Sequence, residues 1–485
     1  MITWGISANS HDAAIAVFQN EKLVFASHSE RFSRKKNDGD LCLKLVDYAK
    51  RWGEPDHVYW YENPYLKTLR QFYAGQGLRL SENNVKQYLN KFYIDAPVSF
   101  IKHHHSHASA GYYTSKFRHA CILVIDAIGE FETITIWEGN GNKVRKVYSK
   151  SYPDSIGLWY SAMTQRIGLK PNEEEYILMG LSAFGDPDRF YESIRNDFIK
   201  DINTAKFSVN LHRGCQWWRP ELTEKDYADI AAATQRIYKE LLDHVLRLAK
   251  RLVPSDNLVF MGGCALNCSA NIILHDYFKN VWIMPNPGDA GSSIGAVLAH
   301  WQEHIDWTGP YLGFNMQQRH NNQDIISHLL KNPICGVARG PAEFGPRALG
   351  NRSVLADPRL PDIKNKLNKI KQRQEYRPFA PVILAEHAHD VFEMPEKEIP
   401  YMQYAVKCKH PDMYPGIVHV DGTSRVQTVT KEQNSHLYNL LLKWYNVTGC
   451  PLLVNTSLNI KGEPIVNDHV DAQRWEEKYK VKVFC

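Results

Sequence analysis

Residues 1–18, MITWGISANSHDAAIAVF, carry the pattern on which the fold prediction rests. Two apolar runs, from Ile2 to Ile6 and from Ala13 to Phe18, flank the polar turn SANSHD, and a third strand-like run follows in EKLVFASHSE at residues 21–30. Short apolar runs bounded by turn residues are typical of β-strands. The sequence therefore predicts a strand meander whose first turn carries polar side chains, among them His11.

Residues 120–149 repeat this pattern. A strand-like run from Ala120 to Ile125 ends in DAIGE, and a second meander follows through FETITIWEG and NKVRKVYS. Further along, Thr223 forms a helix-capping pattern with Asp226, and apolar residues at helical spacing predict a long amphipathic helix up to Pro254. Two meanders, each followed by helices, suit a duplicated α/β domain that closes around a nucleotide. We therefore predict an actin-like fold, of the ASKHA or RNase H-like class, for the N-terminal part.

The length of 485 residues predicts more than one domain, since domains usually span about 100–200 residues. Residues 307–323 are polar and contain Gly and Asn, and we interpret them as a connector. The sequence thus predicts an N-terminal domain over 1–310 and a C-terminal α/β domain over 311–485. The second domain carries Arg and Lys within turns that contain Gly and Pro, which indicates a role in binding anions.

The composition argues against several classes of protein. Fifty-eight Lys plus Arg against 53 Asp plus Glu leave a net charge of +5 without a basic tail, which disfavours nonspecific nucleic-acid binding. The chain lacks both a signal-peptide pattern and a long apolar run, so we expect neither secretion nor membrane insertion. The nine cysteines include no CxxC pair, and we expect reduced thiols in the cytoplasm.

A candidate metal site lies in the N-terminal domain. In HHHSH at residues 103–107, His103 and His107 have the spacing that projects two imidazoles from one face of a helix. Two acidic residues stand where a carboxylate can point into a cleft: Asp126 ends an apolar strand, and Asp289 lies in the turn PGDAG. Together they form an N2O2 set, which suits iron(II), manganese or zinc.

Two other features indicate bound phosphates. Gly262 and Gly263 follow an apolar strand and precede a predicted helix, a place where backbone amides can approach a phosphate or nucleotide. In the C-terminal domain, cations lie in the turns of RGPAEFGPRALGNRS (339–353) and KQRQEYRPFAP (371–381). They are Arg339, Arg347, Arg352, Lys371, Arg373 and Arg377. Cations held in such turns favour bidentate binding of phosphate or carboxylate groups, and their number fits two phosphorylated ligands.

Ordered motifs along nearly the whole chain carry a family resemblance. They are GISANSHDAA (5–14), ERFSRKKND (30–38), HHHSHASA (103–110), LVIDAIGE (123–130), EEYILMGLSAFG (174–185), GGCALNCSAN (262–271), PNPGDAGSSIGA (285–296), EFGPRALGNRSVLADPR (343–359), RPFAP (377–381), HVDGTSRVQTV (419–429) and LLVNTSLNIKGEPIV (452–466). By these motifs the sequence resembles the O-carbamoyltransferases that include nodulation protein U and the tobramycin, cephalosporin and ansamycin carbamoylating enzymes. So many motifs in the same order argue against chance.

The resemblance implies a fold and a reaction. It implies an N-terminal domain similar to the tRNA threonylcarbamoyl-adenosine transferases, on the actin-like fold, and a YrdC-like C-terminal domain. In the YrdC-like domain, carbamoyl phosphate and ATP with Mg²⁺ would form carbamoyl adenylate. The N-terminal domain would then pass the carbamoyl group to a hydroxyl, so we expect an ATP-dependent O-carbamoyltransferase.

The resemblance also implies roles for individual residues. The metal ligands would be His103, His107, Asp126 and Asp289, with Fe²⁺ favoured as a Lewis acid. The residues near the transfer site would be His11, Asp12 and Lys36, with His11 or Asp12 accepting the proton of the acceptor. The residues lining an adenosine site in the N-terminal domain would be Gly180, Gly262, Gly263 and Asn267. The carbamoyl phosphate and ATP pocket of the C-terminal domain would contain Arg347, Arg352, Lys371, Arg377, Arg425, Asn455 and Ser457.

The acceptor is expected to be a small molecule that bears a hydroxyl group, because an intermediate that water destroys must meet the hydroxyl in a closed site. Sugars, aminoglycoside-like compounds, natural-product alcohols and hydroxymethyl nucleotides are candidates. The sequence departs from the family pattern at Asn37, Ile177 and Gln374, and the segment between Lys36 and His103 is short. Three alternatives stay open: a tRNA threonylcarbamoylation-type enzyme, carbamoylation of hydroxymethylated DNA, and a nucleotide- and metal-binding module without turnover. The oligomeric state is also open, with a dimer as one option.

Overall fold

Two five-stranded sheets of the same strand order form the N-terminal part of the computed structural model, which describes residues 1–374 and 376–485. The first sheet contains β1 (Ile2–Ser7), β2 (Ala14–Gln19), β3 (Lys22–His28), β4 (His57–Trp60) and β5 (Val98–Phe100). The second contains β6 (His119–Gly129), β7 (Glu132–Asn140), β8 (Lys143–Ser151), β11 (Asn257–Met261) and β12 (Asn280–Trp282). The orders are β3-β2-β1-β4-β5 and β8-β7-β6-β11-β12. In each sheet the first three strands pair antiparallel and the last two join in parallel, so the duplication predicted from the two meanders is confirmed at the level of topology.

The helices of this part connect and cover the sheets. They are α2 (Leu43–Ala49), α3 (Pro64–Tyr73), α4 (Val85–Asn90), α5 (His103–Thr114), α6 (Ile156–Arg166), α7 (Glu175–Leu181), α8 (Tyr191–Phe198), α9 (Tyr227–Leu252) and α10 (Ser292–Trp301), with a short ribbon of β9 (Ile199–Asp201) and β10 (Lys206–Phe207). The capping box of Thr223 and Asp226 precedes α9, and the predicted long amphipathic helix is confirmed. The helix predicted after Gly262 is only a four-residue 3-10 turn, Gly263–Leu266.

Helices α5 and α10 form two central layers between the sheets. Helix α10 packs against β1, β2 and β4, α5 packs against β6, β7 and β11, and the two helices pack on each other. Every residue of α5 except His105 is buried, as expected for a helix without a polar face. Gly295 of α10 faces α5 so closely that an added Cβ would overlap the carbonyl oxygen of Ser106. Glycine at position 295 therefore sets the distance between the two helices.

The C-terminal part is built on a six-stranded mixed sheet of order β20-β17-β21-β16-β14-β22. Its strands are β14 (Ile334–Ala338), β16 (Arg352–Ala356), β17 (Ala380–Leu384), β20 (Gln427–Val429), β21 (Leu452–Ser457) and β22 (Val483–Phe484). Two ribbons pair β13 (Tyr311–Met316) with β15 (Gly340–Glu343) and β18 (Ala405–Lys407) with β19 (Thr423–Arg425). The helices are α11 (Asn322–Leu329), α12 (Ile363–Lys371), α13 (Ala388–Val391), α14 (Ser435–Thr448) and α15 (His469–Tyr479). Helix α14 packs on β17 and β21 and buries Trp444 in the core.

The chain divides into two compact units that are not continuous in sequence. Unit 1 contains residues 1–29 and 38–307, and unit 2 contains residues 30–37 and 308–485. The segment 30–37, which includes most of α1 (Ser29–Ser33), thus belongs with the C-terminal residues, an arrangement that the sequence did not indicate. Interpreting residues 307–323 as a plain connector was wrong for β13, because Tyr311–Met316 pairs antiparallel with β15.

The contact of Gly295 with Ser106 predicts that Gly295→Ala destabilises unit 1. The new methyl group would overlap backbone atoms that cannot rotate away, so we expect the free energy of unfolding to fall by about 1–3 kcal/mol, the usual cost of overpacking. Urea denaturation followed by circular dichroism measures the change. Gly288→Ala is the matched control, since a Cβ at position 288 meets open space. Equal stability of the two variants would show that the helices do not depend on this contact.

Candidate functional site

Four buried side chains in unit 1 bring their ligand atoms together. The ligand atoms of His103, His107, Asp126 and Asp289 all lie within 4.8 Å of one another. The Nε2 atoms of His103 and His107 are 3.0 Å apart. The nearest carboxylate oxygens lie 3.1 Å and 3.3 Å from Nε2 of His103, on Asp126 and Asp289 respectively. This donor set is the one that the sequence predicts for a divalent metal ion.

Three different elements position these four residues. His103 and His107 are one turn apart on α5, so their rings share one face of the helix. Asp126 lies on β6, where its Oδ1 accepts a hydrogen bond of 3.0 Å from the backbone N–H of Gly263. Asp289 begins the 3-10 turn Asp289–Gly291 that leads into α10. The packing of α5 on α10 therefore brings Asp289 to the two histidines.

The electrostatics of this cluster favour a bound cation. Burial opposes the charged form of each group, but the facing imidazoles hold the pKa of Asp126 and of Asp289 below the usual range of a carboxyl group. The same carboxylates raise the pKa of His103 and His107 above the usual range. With neutral imidazoles the cluster carries two negative charges in a buried place. A divalent cation would balance them, so the residues present fit a metal ion.

The other two histidines of HHHSH are directed elsewhere. His104 is buried, and its Nδ1 is 2.9 Å from Oγ1 of Thr135. Burial, followed by the nearby His103, lowers the pKa of His104 well below its usual value. His105 stacks on Trp137 with 5.3 Å between ring centroids. Only the pair spaced by four residues therefore joins the cluster.

Glu130 was not singled out from the sequence, although it ends the motif LVIDAIGE. Its buried Oε1 accepts hydrogen bonds from the backbone N–H groups of His103, at 3.3 Å, and Asn63, at 2.6 Å. It thus satisfies a free N–H at the start of α5 and another next to the start of α3. Burial raises the pKa of Glu130 to about 7. Glu130 fixes the end of the helix that carries both histidines.

The loop between β1 and β2 places His11 beside the cluster. Its Nε2 is 3.5 Å from Oδ2 of Asp289, its Nδ1 is 3.3 Å from Oδ2 of Asp12, and its side chain is 44% exposed. Partial burial lowers the pKa of His11, but the carboxylates of Asp289 and Asp12 outweigh that effect and raise it. These carboxylates therefore favour the protonated form of His11 while the charge of Asp289 is unbalanced. A role as general base requires a cation that takes up this charge.

Hydrogen bonds hold this loop in a constrained conformation. Asn9 and Asp12 have positive φ angles of 65° and 54°, a region that Asn and Asp tolerate best. The backbone of Ala13 donates to the carbonyl of Asp38 at 2.7 Å. Lys67 donates to the carbonyl of Asn9 at 2.8 Å and to the buried carboxylate of Glu62 at 2.5 Å. Neither Glu62 nor Lys67 lies in a motif that points to a functional site.

Lys36 and the residues predicted to line an adenosine site lie outside the four-residue cluster. Lys36 belongs to unit 2, whereas His11 and Asp12 belong to unit 1. Gly262 has a φ of 90°, and the N–H of Gly263 is used by Asp126. Asn267 is paired with Gln235 through two hydrogen bonds of 2.9 Å and 3.0 Å, so this buried pair holds its side chain in place. Gly180 lies half-buried on α7.

In unit 2, side chains hold the loop that carries Arg347, which we call the 344–350 loop. Oε1 of Glu343 accepts hydrogen bonds from the N–H groups of Leu349, at 2.7 Å, and Asn351, at 2.9 Å. The amide of Asn455 donates to the carbonyl of Ala348 at 3.1 Å. These hydrogen bonds restrict the backbone next to Arg347, whose side chain is half-buried. Glu343 was quoted in the motif but not singled out from the sequence.

A buried lysine lies next to Ser457 in the same unit. Nζ of Lys371 has four acceptors around it: the carbonyl and Oγ of Ser457, at 2.6 Å and 3.3 Å, and Oδ1 and the carbonyl of Asn459, at 2.5 Å and 3.4 Å. Burial lowers the pKa of Lys371 well below its usual value, and Arg373 and Arg377 add to the effect. An anion in this place would lessen that repulsion. The group therefore has the charge that a phosphate site needs.

Asn455 and Arg425 each leave a buried polar atom without a hydrogen bond to any residue that the structure describes. These atoms are Oδ1 of Asn455 and Nε of Arg425. Asn455 and Ser457 are two residues apart on β21, so their side chains lie on the same face of the sheet. The hydrogen bond from Asn455 to Ala348 thus links β21, which also carries Ser457, to the 344–350 loop.

Arg352 does not have the surroundings of an anion ligand, and its assignment to the pocket is corrected. The side chain is fully buried, and its guanidinium donates to backbone carbonyl groups. The acceptors are Asn467, Arg339, Gly340, Asn351 and Phe314, at 2.8–3.2 Å. All of its donor atoms serve the backbone, so its role is structural. The spacing of cations in the sequence does not distinguish such a residue from a ligand.

Comparisons with known proteins agree with the resemblance seen in the motifs. Residues 3–298 match the family described as carbamoyltransferase N-terminus, and residues 326–485 match carbamoyltransferase C-terminus. An uncharacterized protein of Synechocystis sp. is 32% identical over 97% of this chain and 93% of its own length. Nodulation protein NolNO of Sinorhizobium fredii is 29% identical, covering 95% of this chain and 76% of that protein.

One relative has a name that states its reaction. The 3'-hydroxymethylcephem-O-carbamoyltransferase of Amycolatopsis lactamdurans is 28% identical over 94% of this chain and 93% of its own length. Among solved structures, that of HypF from T. kodakarensis aligns with 62% of this chain and 48% of its own at 11% identity, with a TM-score of 0.37, too low to support an argument. Within residues 1–374 and 376–485, no helix is long and apolar enough to cross a membrane. The two family matches together span most of the sequence, and the chain belongs to the carbamoyltransferase family of enzymes.

Proposed function

We propose that the protein is an ATP-dependent O-carbamoyltransferase that works in two steps. In unit 2, one water molecule converts carbamoyl phosphate into carbamate and phosphate. The carbamate oxygen then attacks the α-phosphate of ATP, which gives carbamoyl adenylate and releases pyrophosphate. Unit 1 transfers the carbamoyl group to an acceptor hydroxyl and releases AMP. The observation that carries this proposal is the buried cluster of His103, His107, Asp126 and Asp289 beside His11, in a chain of the carbamoyltransferase family.

We assign the fold of each unit as part of the same proposal. For unit 1, the actin-like class is supported by two sheets of identical strand order with paired helices between them. For unit 2, the YrdC-like class is supported by the mixed sheet with cations at Arg347, Lys371 and Arg377, together with the family match. All nine cysteines are free, which supports a reducing, cytoplasmic setting.

The anion pocket of unit 2 would prepare the first step. Lys371 is buried, and the nearby Arg377 further disfavours its positive charge. A phosphate bound beside Lys371 and Arg377 would offset this repulsion, so it would be attracted to this part of unit 2. Arg347 would reach the anion from the fixed 344–350 loop, and its planar group suits bidentate contact with phosphate oxygens. Arg425 and Asn455 each offer a buried polar atom that a ligand would satisfy.

In the second step, His11 and Asp12 would handle the proton of the acceptor. A metal ion held by the four ligands, Fe²⁺ by family resemblance, would supply Lewis acidity for the carbamoyl oxygen. The oxygens of Asp289 face both His103 and His11. A cation that balanced the charge of Asp289 would lower the pKa of His11, and Nε2 of His11 would then accept the proton of the hydroxyl. Asp12, at 3.3 Å from Nδ1, holds the ring in place. We propose that Gly180 and Gly262 of unit 1 adjoin the adenosine part of the adenylate.

The metal prediction concerns stoichiometry. Purified protein is expected to contain one equivalent of a divalent transition metal, and His103→Ala is expected to lose it, because two carboxylates and one imidazole hold such an ion more weakly than the full set. Inductively coupled plasma mass spectrometry measures the content. His105→Ala is the matched control, since His105 lies on the same helix and stacks on Trp137 outside the cluster. Equal stoichiometric metal in wild type and His103→Ala would refute the ligand assignment.

The pocket prediction concerns Arg377. Loss of one charge-assisted contact costs about 1.5–3 kcal/mol, so Arg377→Ala is expected to lower the second-order rate constant for carbamoyl phosphate by roughly 10–150-fold. Exchange of labelled pyrophosphate into ATP, dependent on carbamoyl phosphate, measures the step. Lys369→Ala is the control, because Lys369 is an exposed cation on neighbouring α12. Unchanged exchange in Arg377→Ala would remove this residue from the site.

The acceptor prediction is that a small hydroxyl compound is carbamoylated. Enzyme, ATP and labelled carbamoyl phosphate are incubated with aminoglycosides, sugars, hydroxymethyl nucleotides, tRNA and hydroxymethylated DNA, and mass spectrometry detects the gain of one carbamoyl group. The named reaction of the cephem enzyme supports a small acceptor. Efficient labelling of DNA or tRNA, with no small compound accepted, would contradict the prediction. Absence of any turnover of ATP with carbamoyl phosphate would favour a module without catalysis.

A further inference from the structure

We propose that Arg31, which the N-terminal segment contributes to unit 2, is a positioning residue of the carbamoyl phosphate site. The inference rests on the function proposed for that site and adds a residue to it. Arg31 holds the 344–350 loop and places a buried positive charge at Gly345, two residues before Arg347. The C-terminal residues alone therefore do not make up the complete site.

The contact that carries the proposal joins Arg31 to the turn before Arg347. Arg31 is only 1% exposed, and its Nη2 donates a hydrogen bond of 2.8 Å to the carbonyl of Gly345. Gly345 has a φ of 154° and is followed by Pro346 and then Arg347. A carbonyl fixed at position 345 restricts the path of the next two residues. Arg31 thus fixes one side of the loop, while Glu343 and Asn455 fix the other.

The rest of the guanidinium is not explained by packing. Nε and Nη1 of Arg31 are buried without a hydrogen bond to any residue in the described part of unit 2, and Nε lies 3.5 Å from Oε1 of Glu30. Burying such donors unsatisfied is costly, and burial lowers the pKa of Arg31 even though the carboxylates of Glu30, its ion-pair partner, and Glu343 oppose that effect. An arginine kept in this place is understandable if an anion lies near the 344–350 loop during the reaction.

The segment that carries Arg31 is anchored without any ligand. Arg34, three residues later, donates to the carbonyl of Ile465 at 2.8 Å and to that of Pro464 at 2.9 Å, and it lies 3.1 Å from a carboxylate oxygen of Asp471. Pro464 and Ile465 belong to the motif LLVNTSLNIKGEPIV, which also carries Ser457. The anchor thus ties Arg31 to the same stretch that contributes to the pocket, so its charge is in place before the anion binds.

Kinetics of the full-length protein test the proposal. In the pyrophosphate exchange, Arg31→Met is expected to raise the KM for carbamoyl phosphate at least about tenfold, with kcat and the KM for ATP much less affected. Arg31→Lys keeps the charge and is expected to recover part of the loss. Lys35→Met removes an exposed cation from the same segment and is expected to match wild type. Guanidinium chloride at millimolar concentration is expected to restore part of the activity of Arg31→Ala.

Several results would overturn this role. The role is refuted if the KM for carbamoyl phosphate is unchanged in Arg31→Met. It is also refuted if Arg31→Met changes kcat and both KM values to the same extent and Arg31→Lys is no better, because that pattern indicates a purely structural residue. Titration with inorganic phosphate, followed by calorimetry, separates this proposal from the function. One outcome is that wild type lacks pyrophosphate exchange and still binds phosphate at least about tenfold more tightly than Arg31→Met. That result would refute the proposed reaction and support the role of Arg31 at the anion site. If wild type binds neither phosphate nor carbamoyl phosphate, both proposals fail.

Discussion

The crossing of α5 and α10 is the constraint on which the arrangement of unit 1 depends. Gly295 lets the backbone of α10 approach Ser106, and this closeness brings Asp289 to the face of α5 that carries His103 and His107. Asp126 reaches the same point from β6, held by the N–H of Gly263. Ligands that come from packed helices and a central strand lose little freedom when they meet a cation, which is what a stable metal site requires.

In unit 2, side-chain hydrogen bonds, and not packed helices, hold the candidate site in place. Its candidate site includes the 344–350 loop, which lacks regular structure, so hydrogen bonds from Glu343, Asn455 and Arg31 fix the backbone instead. Buried charge is used in two ways here. Arg352 spends its donors on backbone carbonyls, whereas Lys371 stays among other cations in a state that an anion would relieve. Protein acceptors occupy the donors of both side chains, so it is the burial of Lys371 beside Arg373 and Arg377, and not its hydrogen-bond partners, that favours an anion near it.

The sequence predicted the features that rest on local spacing. The four-residue interval of His103 and His107, the cap before α9 and the repeated meander are all patterns within one element or between neighbouring elements. Features that depend on distant partners were missed. Nothing in ERFSRKKND shows that residues 30–37 belong with the C-terminal unit, and the pairing of Asn267 with Gln235 arises only when α9 packs beside the Gly262 turn. The polar composition of residues 307–323 predicts a connector, and only the antiparallel pairing with β15 shows that β13 within it is a strand.

The central claim is that adenylate formation and carbamoyl transfer use different residues in the two units. A single-turnover rapid-quench experiment with Asp289→Asn tests it most directly, using ATP, labelled carbamoyl phosphate and whichever hydroxyl compound wild type carbamoylates. The claim predicts that pyrophosphate is released at the wild-type rate and that carbamoyl adenylate accumulates, while transfer falls by about 100-fold or more, since Asp289 supports charge stabilisation only in transfer. Wild-type transfer in this variant, or equal loss of both steps, would contradict it.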